Sequence, residues 1–135
     1  MRKKIIFILV GHGSRNSETI KEFNTFQNKI LEKIPHLNWA FGFLEYSGPS
    51  IEKVISKVVA ENPEKIVLVP LFLFSSKHVK KDIPKVIQNF KYNNFVLLDS
   101  FKVNSPLINL LTQRVKESSG HKKKMRALVV VGRGA

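Results

Sequence analysis

Two histidines and a glutamate each follow an apolar run of the sequence, and their side chains suit metal and proton chemistry. His12 stands between two glycines after the run at 5–10, Glu45 follows residues 38–44, and His78 comes shortly after residues 65–74. Two imidazoles and one carboxylate can hold a divalent ion such as Co²⁺, Fe²⁺, Ni²⁺ or Zn²⁺, and the same groups can accept a proton. They form one site only if the fold brings them together.

Each of these residues also has an ordinary structural explanation. The His12 ring can hydrogen-bond a neighbouring backbone group, Glu45 can be a solvated strand terminus, and His78 can lie at the surface of a lysine-rich stretch. Their shared position after three successive apolar runs favours a common site over three separate explanations. His36, in a turn, and His121, in a basic stretch, lack such neighbours, and we expect both at the surface.

The hydrophobic pattern predicts the elements that must position these residues. Apolar runs predict β-strands at residues 4–10, 38–44, 65–74, 95–98 and 127–131, and the segments between them have apolar residues at helical spacing. Alternating strands and helices form a parallel sheet with right-handed crossovers, and continuous apolar runs are typical of strands buried on both sides. We therefore predict an α/β fold: a doubly wound open parallel sheet of four to five strands flanked by helices, with the flavodoxin-like order 2-1-3-4.

This strand order makes the segments after strands 1, 2 and 3 neighbours at one edge of the sheet. Adjacent strands are about 4.8 Å apart, and ligands of such sheets bind beyond the carboxyl ends of the strands, where the order reverses. We therefore expect His12, Glu45 and His78 to converge. The residues around them carry hydroxyls, cations and backbone donors, which favour an anionic ligand. These residues are Ser14, Arg15, Ser75, Ser76 and Lys77.

Polar residues and prolines at the segment ends indicate where the elements begin and break. The expected helix starts are Asn16 or Ser17, Pro49, Asp82 followed by Pro84, and Ser105 followed by Pro106. Pro70 cannot donate a ladder hydrogen bond, so we expect the third strand to be interrupted there, with residues 71–74 carrying the chain to the sheet edge.

Length and composition limit the class of protein. The 135 residues suffice for one compact domain, and the absence of cysteine excludes disulfides and thiolate metal sites and agrees with the cytoplasm as the predicted location. No apolar stretch approaches the roughly 18 residues that a membrane-spanning helix needs. The net charge of +13 predicts an anionic partner, although lysines scattered over solvated helix faces explain the same charge.

The sequence VVGRGA at 130–135 nearly repeats LVGHGS at 9–14. The similarity is either a coincidence, because glycines often follow strands in α/β proteins, or the beginning of a second copy. We divide the chain into a single domain at 1–120 and a tail at 121–135. That tail is a basic linker, HKKKMR, with a strand and a glycine loop that resemble the start of a second repeat.

Three motifs carry a family resemblance: LVGHGSR at 9–15, FLE and PSI within 43–51, and VPLFLFSSKHVKKDIP at 69–84. Together they resemble the class II chelatases, specifically the small sirohydrochlorin cobaltochelatases and ferrochelatases, over residues 4–111. The resemblance implies ATP-independent insertion of Co²⁺, Fe²⁺ or Ni²⁺ into sirohydrochlorin on the routes to cobalamin or sirohaem. The end of the chain is similar to the junction in two-repeat members, so the chain is either the first half of a long form or a short form, and short members act as homodimers.

The resemblance also implies roles for individual residues. His12 and His78 bind the metal, and Glu45 acts beside them as acid/base or third ligand while two pyrrole protons leave. Substrate binding is expected at Gly11, Gly13, Ser14, Arg15, Ser47, Ser75, Ser76 and Lys77, with the glycines leaving room for the macrocycle. No cofactor is implied beyond the metal. The implied partners are the tetrapyrrole, the metal and a second copy of the chain. Neither a membrane nor nucleic acid is expected as a partner.

Two other functions remain open from the residues alone. A non-enzymatic module that binds anions or nucleic acid fits the charge, but the chain lacks the aromatic residues interleaved with basic ones on a predicted strand face that single-strand binders commonly use. A phosphate-handling α/β enzyme fits the GHGS loop with His12 as nucleophile. That function leaves Glu45 and His78 without a role.

Overall fold

The computed structural model describes residues 4–74, 76–102, 104–117, 127 and 129–132. The chain divides into two compact units, Met1–Phe101 and Lys102–Ala135. The first unit contains, in chain order, β1 (Ile5–Gly11), α1 (Ser17–Lys33), β2 (Asn38–Phe43), α2 (Ile51–Ala60), β3 (Lys65–Pro70), a π-helical segment termed the π turn (His78–Asp82), α3 (Ile83–Gln88) and β4 (Phe95–Leu97). The second unit contains α4 (Ser105–Glu117).

The four strands of the first unit form one parallel sheet in the order β2-β1-β3-β4. The predicted α/β class and the 2-1-3-4 order are thereby confirmed. At the carboxyl end of β1, Val10 lies opposite Gly42 of β2 and Pro70 of β3. β1, β2 and β3 therefore end level with one another, which brings the segments after them to a common edge.

β3 ends at Pro70, as its missing N–H predicts. The next amide, that of Leu71, donates to the Val10 carbonyl at 2.8 Å, so the chain stays beside β1 for one more residue. None of residues 71–74 is in a strand. The segment is free to turn toward the sheet edge, where His78 lies.

The main core lies on one face of the sheet. Ile6 and Ile8 of β1 stand opposite Ile66 and Leu68 of β3, and all four side chains are buried. Each buried side chain of this size stabilises the fold by about 2 kcal/mol relative to exposure. The helical residues that pack on this face have apolar spacing of three and four, at Ile51, Val54, Ile55, Val58 and Ile83.

The helix starts agree with the expected positions at α1, α2 and α3, whereas α4 is capped one residue earlier than expected. Asn16 caps α1, because its side chain accepts from the amides of Glu18 and Thr19 at 2.8 and 3.2 Å. Ser50, immediately after Pro49, caps α2. Asn104, rather than Ser105, caps α4, since its amide oxygen reaches the Leu107 N–H at 3.0 Å. An N-cap side chain accepts from the amide two or three residues further along the chain, which is the relation of Asn104 to Leu107.

Asp82 immediately precedes α3, as expected, but its side chain does not cap that helix. Asp82 has helical backbone angles and makes no cap hydrogen bond, because it belongs to the π turn that runs directly into α3. Its carboxylate instead contacts His78. Pro84 lies in the first turn of α3, where its missing N–H costs little.

The predicted fifth strand at 127–131 is not seen in its described residues, 127 and 129–131, none of which is in a strand. Residues 121–126, which form the basic linker, and residues 133–135, which include most of the second glycine loop, lie outside the described residues. The division at residue 120 stays a prediction. No helix in the described ranges is long and apolar enough to span a bilayer.

Candidate metal centre

The loops after β1 and β2 are joined by backbone hydrogen bonds that continue the sheet past its strands. The Leu44 amide donates to the Gly11 carbonyl at 3.0 Å, and the Glu45 amide donates to the His12 carbonyl at 2.9 Å. His12 and Glu45 thus lie side by side. Their Nε2 and Oε2 atoms are 3.7 Å apart, and both side chains are partly exposed.

Gly13 makes this close approach of the two loops sterically allowed. Its φ is +97°, and a Cβ there would overlap the backbone carbonyl of Glu45. A Cβ on Gly11 would lie 2.9 Å from the ring of Phe23 on α1. The position of a Cβ on either glycine is thus taken by neighbouring protein atoms, and the approach of a macrocycle to these glycines stays a prediction.

Two serines form a second set of hydrogen bonds between the same loops. The Ser14 amide donates to the Ser47 hydroxyl at 2.9 Å, and that hydroxyl donates to the Ser14 carbonyl at 2.8 Å. The Ser14 hydroxyl accepts from the Asn16 amide at 3.0 Å. These two residues, expected to bind substrate, therefore hold the loop that carries His12 against the loop that carries Glu45.

His78 reaches the site from the π turn. Buried Val79 and Ile83 anchor that segment to the core. The His78 ring lies 4.6 Å from the His12 ring, centroid to centroid, in an edge-on arrangement at 75°. Phe72, from the segment after β3, stacks on the His78 ring at 6.0 Å and 25°.

The structure therefore brings the three predicted residues together. One ligand atom from each of His12, Glu45 and His78 lies within 4.8 Å of the others. A first-row ion held at about 2.1 Å from each donor needs the donors roughly 3 to 4 Å apart, so movements of about an ångström complete the set. Three partly exposed ligands leave open coordination positions for a further ligand.

Both imidazoles have the same ring nitrogen turned away from the cluster. The His12 Nδ1 lies 3.2 Å from the Gly13 carbonyl, and the His78 Nδ1 lies 2.8 Å from the Asp82 carboxylate. With Nδ1 protonated and donating, each Nε2 keeps its lone pair for a metal ion. Carboxylate or carbonyl partners of this kind fix the orientation of metal-binding histidines.

Asp82 is the main contributor that the sequence interpretation missed. The four-residue spacing from His78 to Asp82 is a usable signal, since such residues face each other on a helix. Asp82 was assigned to a helix start instead, so its contact with His78 was not predicted. Phe72 and Tyr46, which lie 6.5 and 6.1 Å from the His12 ring, were also missed.

The remaining expected substrate residues lie around the cluster in different ways. Arg15 lies over the exposed Tyr46 ring, with its Cζ 4.7 Å from the ring centroid. Lys77 is exposed at the start of the π turn. The Ser76 hydroxyl is buried without a hydrogen-bond partner in the described part of the chain, and Ser75 lies outside that part. His36 is exposed in the turn after α1, as predicted, and His121 is among the residues left undescribed.

The fold and this cluster define an α/β protein with a His-Glu-His group at the carboxyl edge of its parallel sheet. Residues 6–118 match the family model described as CbiX. The chain belongs to the CbiX family. The resemblance to the sirohydrochlorin chelatases noted in the motifs is thereby confirmed.

Similar proteins give the family a biochemical context. The chain is 38% identical over 80 residues to the sirohydrochlorin cobaltochelatase of Methanococcus aeolicus, covering 59% of this chain and 56% of the relative. It is 28% identical over 132 residues to the sirohydrochlorin ferrochelatase of Priestia megaterium, covering 95% and 50%. The chain thus spans about half the length of these curated relatives.

A solved structure shares the fold. The sirohydrochlorin chelatase SirB of Bacillus subtilis subspecies spizizenii, in complex with cobalt, aligns with a TM-score of 0.73 and 26% identity. The alignment covers 84% of this chain and 50% of that one. The likeness thus extends to about half of a chelatase crystallised with one of the metals expected here.

Proposed function

We propose that this chain inserts Co²⁺ or Fe²⁺ into sirohydrochlorin. The observation that carries the proposal is the convergence of His12, Glu45 and His78 within 4.8 Å at the sheet edge. Relatives named for cobalt and iron insertion, and a structural neighbour crystallised with cobalt, support the choice of reaction and metals. The metal ion is a substrate of this reaction, and the proposal needs no resident cofactor.

The two imidazoles hold the incoming ion through Nε2. Their Nδ1 atoms are engaged by Gly13 and Asp82, so each ring is already oriented before the ion arrives. A small number of neutral nitrogen ligands holds a borderline ion without trapping it, which the transfer requires. The same donor set accepts Ni²⁺, so the metal used follows availability as well as affinity.

Glu45 receives protons in this scheme. Insertion exchanges two pyrrole N–H protons for one divalent ion, and a base beside the ion lowers the barrier to their departure. The Glu45 carboxylate lies 3.7 Å from His12 Nε2 and is partly exposed, so it can pass a proton on to solvent. Its position is set by the loop hydrogen bonds to the backbone of His12 rather than by its own side chain.

The carboxylates of the tetrapyrrole give the net charge of +13 a partner. Arg15 and Lys77 are the cations nearest in sequence to His12 and His78, and both are exposed. In this proposal they attract the substrate, while Gly11, Gly13, Ser14 and Ser47 shape the loops beneath it. A homodimer and a cytoplasmic location stay predictions from the sequence. A module that only binds anions or nucleic acid is not favoured, since it gives the cluster no role.

The test is an anaerobic absorbance assay with sirohydrochlorin and each of Co²⁺, Fe²⁺ and Ni²⁺. We expect the protein to accelerate the spectral change of metal insertion with at least one of the first two ions. Rates equal to those of protein-free mixtures with all three ions would refute the proposal.

A further inference from the structure

Tyr46 occupies an unusual position for an aromatic residue. It follows Glu45 directly, its φ is +60°, and its side chain is 60% exposed. The left-handed backbone region is uncommon for bulky residues and is strained for them. The surrounding loop holds Tyr46 there, since the amide of Ser47 donates to Glu45 and that of Phe43 donates to Pro49, at 2.6 and 2.9 Å. Core packing does not explain why a residue with this strained backbone holds its ring in solvent.

The exposed ring lies close to two functional neighbours. Its centroid is 6.1 Å from that of His12, at the proposed metal site. The guanidinium carbon of Arg15 is 4.7 Å from the same centroid, within cation–π distance. Tyr46 therefore supports the Arg15 guanidinium at a position beside the metal site rather than on it.

Arg15 keeps its directional hydrogen-bonding capacity in this arrangement. Its guanidinium makes no ion pair with any described residue. A cation–π contact with the ring uses none of the guanidinium N–H groups, and the guanidinium fork matches a carboxylate with two parallel hydrogen bonds. The neighbouring hydroxyls of Ser14 and Ser47 are already engaged with the backbone.

We infer that Arg15 and Tyr46 form a subsite for one peripheral carboxylate of the tetrapyrrole, with Tyr46 as the positioning residue that presents the Arg15 fork. This inference rests on the proposed function. A tetrapyrrole carries its carboxylates at the rim and receives the metal at its centre. A carboxylate subsite must therefore stand to one side of the imidazoles, and the Tyr46 ring sets that displacement.

Steady-state kinetics with matched variants test the subsite. Tyr46→Asn removes the ring and tolerates the left-handed backbone, whereas Tyr46→Phe keeps the ring. Arg15→Gln removes the charge, and Lys29→Gln, at the far end of α1, removes an equal charge elsewhere. We expect Arg15→Gln and Tyr46→Asn each to raise the KM for sirohydrochlorin about tenfold, with kcat and Co²⁺ affinity retained. The ring in Tyr46→Phe should restore most of the lost affinity, and Lys29→Gln should keep the wild-type KM.

The methyl ester of sirohydrochlorin identifies the group that is bound. With the ester, the wild type and Arg15→Gln should have the same KM, because the group that the subsite binds is gone. An unchanged KM in Arg15→Gln with the free acid, or an equal rise in Lys29→Gln, would overturn the subsite, as would a loss of kcat alone.

Binding of metal-free sirohydrochlorin, followed by fluorescence, separates this inference from the proposed function. If the wild type binds the tetrapyrrole but inserts no metal, the proposed function fails. The subsite is then judged by the dissociation constant of Arg15→Gln, which should again be about tenfold higher. An unchanged dissociation constant would overturn it.

Discussion

At the scale of single residues, the geometry of the site depends on how closely the loops after β1 and β2 approach each other. Glu45 stands beside His12 because backbone amides and carbonyls of the two loops pair directly. Gly13 allows that pairing, since its positive φ and the nearby Glu45 carbonyl exclude any side chain. The position of the Glu45 carboxylate thus depends on Gly13, a residue that has no side-chain functional group.

Replacement of Gly13 tests this dependence. Gly13→Ala should force the two loops apart, lower the free energy of unfolding by about 1 to 3 kcal/mol and reduce metal insertion at least tenfold. Gly48→Ala is the matched control, because a Cβ there meets nothing within 4 Å. Denaturant unfolding and the absorbance assay measure both effects. Equal behaviour of the two variants would show that the close approach at Gly13 is unimportant.

At the scale of elements, the π turn sets the orientation of His78. This segment carries Asp82 to 2.8 Å from the His78 Nδ1, while Val79 and Ile83 fix it to the core. π-Helical turns inside helices are frequent at functional sites, since they alter which side chains face each other. The π turn therefore fixes the orientation of the His78 imidazole.

Removal of the Asp82 carboxylate tests whether this partner orients His78 for metal binding. Asp82→Ala should weaken Co²⁺ binding about 10- to 100-fold, as loss of such a partner does at other metal sites. Glu22→Gln on α1 removes an equal charge away from the cluster and serves as control. Isothermal titration with Co²⁺ gives the affinities, and ¹⁵N NMR of the His78 ring reports whether the Nδ1–H form is lost. Wild-type affinity in Asp82→Ala would show that His78 needs no orienting partner.

These two elements also show what the sequence could and could not predict. His12 and Glu45 were predictable as neighbours because each follows an apolar run, and parallel strands with the order 2-1-3-4 end at one edge. The four-residue spacing signals the partnership of His78 with Asp82, but the π turn that holds the two residues could not be predicted, since Asp82 followed by Pro84 fits an ordinary helix start. The reason for the glycines was also inaccessible, because it depends on contacts made across the fold.

At the scale of the whole molecule, the net charge of +13 has a kinetic consequence under the proposed function. A cationic surface raises the local concentration of a polycarboxylate, and salt screens that attraction. The screening length falls from about 10 Å at 0.1 M to about 3 Å at 1 M salt. The attraction acts on encounter rather than on the chemistry at the imidazoles.

The salt dependence of kcat/KM measures this attraction. For sirohydrochlorin, kcat/KM should fall several-fold as sodium chloride rises over this range, with kcat nearly constant. The methyl ester, which lacks the negative charges, serves as control and should show little change. An equal salt response for the two substrates would assign the net charge to solvation alone.

The measurement that tests the central claim most directly is the rate of Co²⁺ insertion into sirohydrochlorin by histidine variants. His12→Ala and His78→Ala should each lower the rate about a hundredfold or more, while circular dichroism shows the wild-type fold. His36→Ala, at an exposed turn, should retain the wild-type rate. Wild-type rates in both His12→Ala and His78→Ala would contradict the assignment of the metal site.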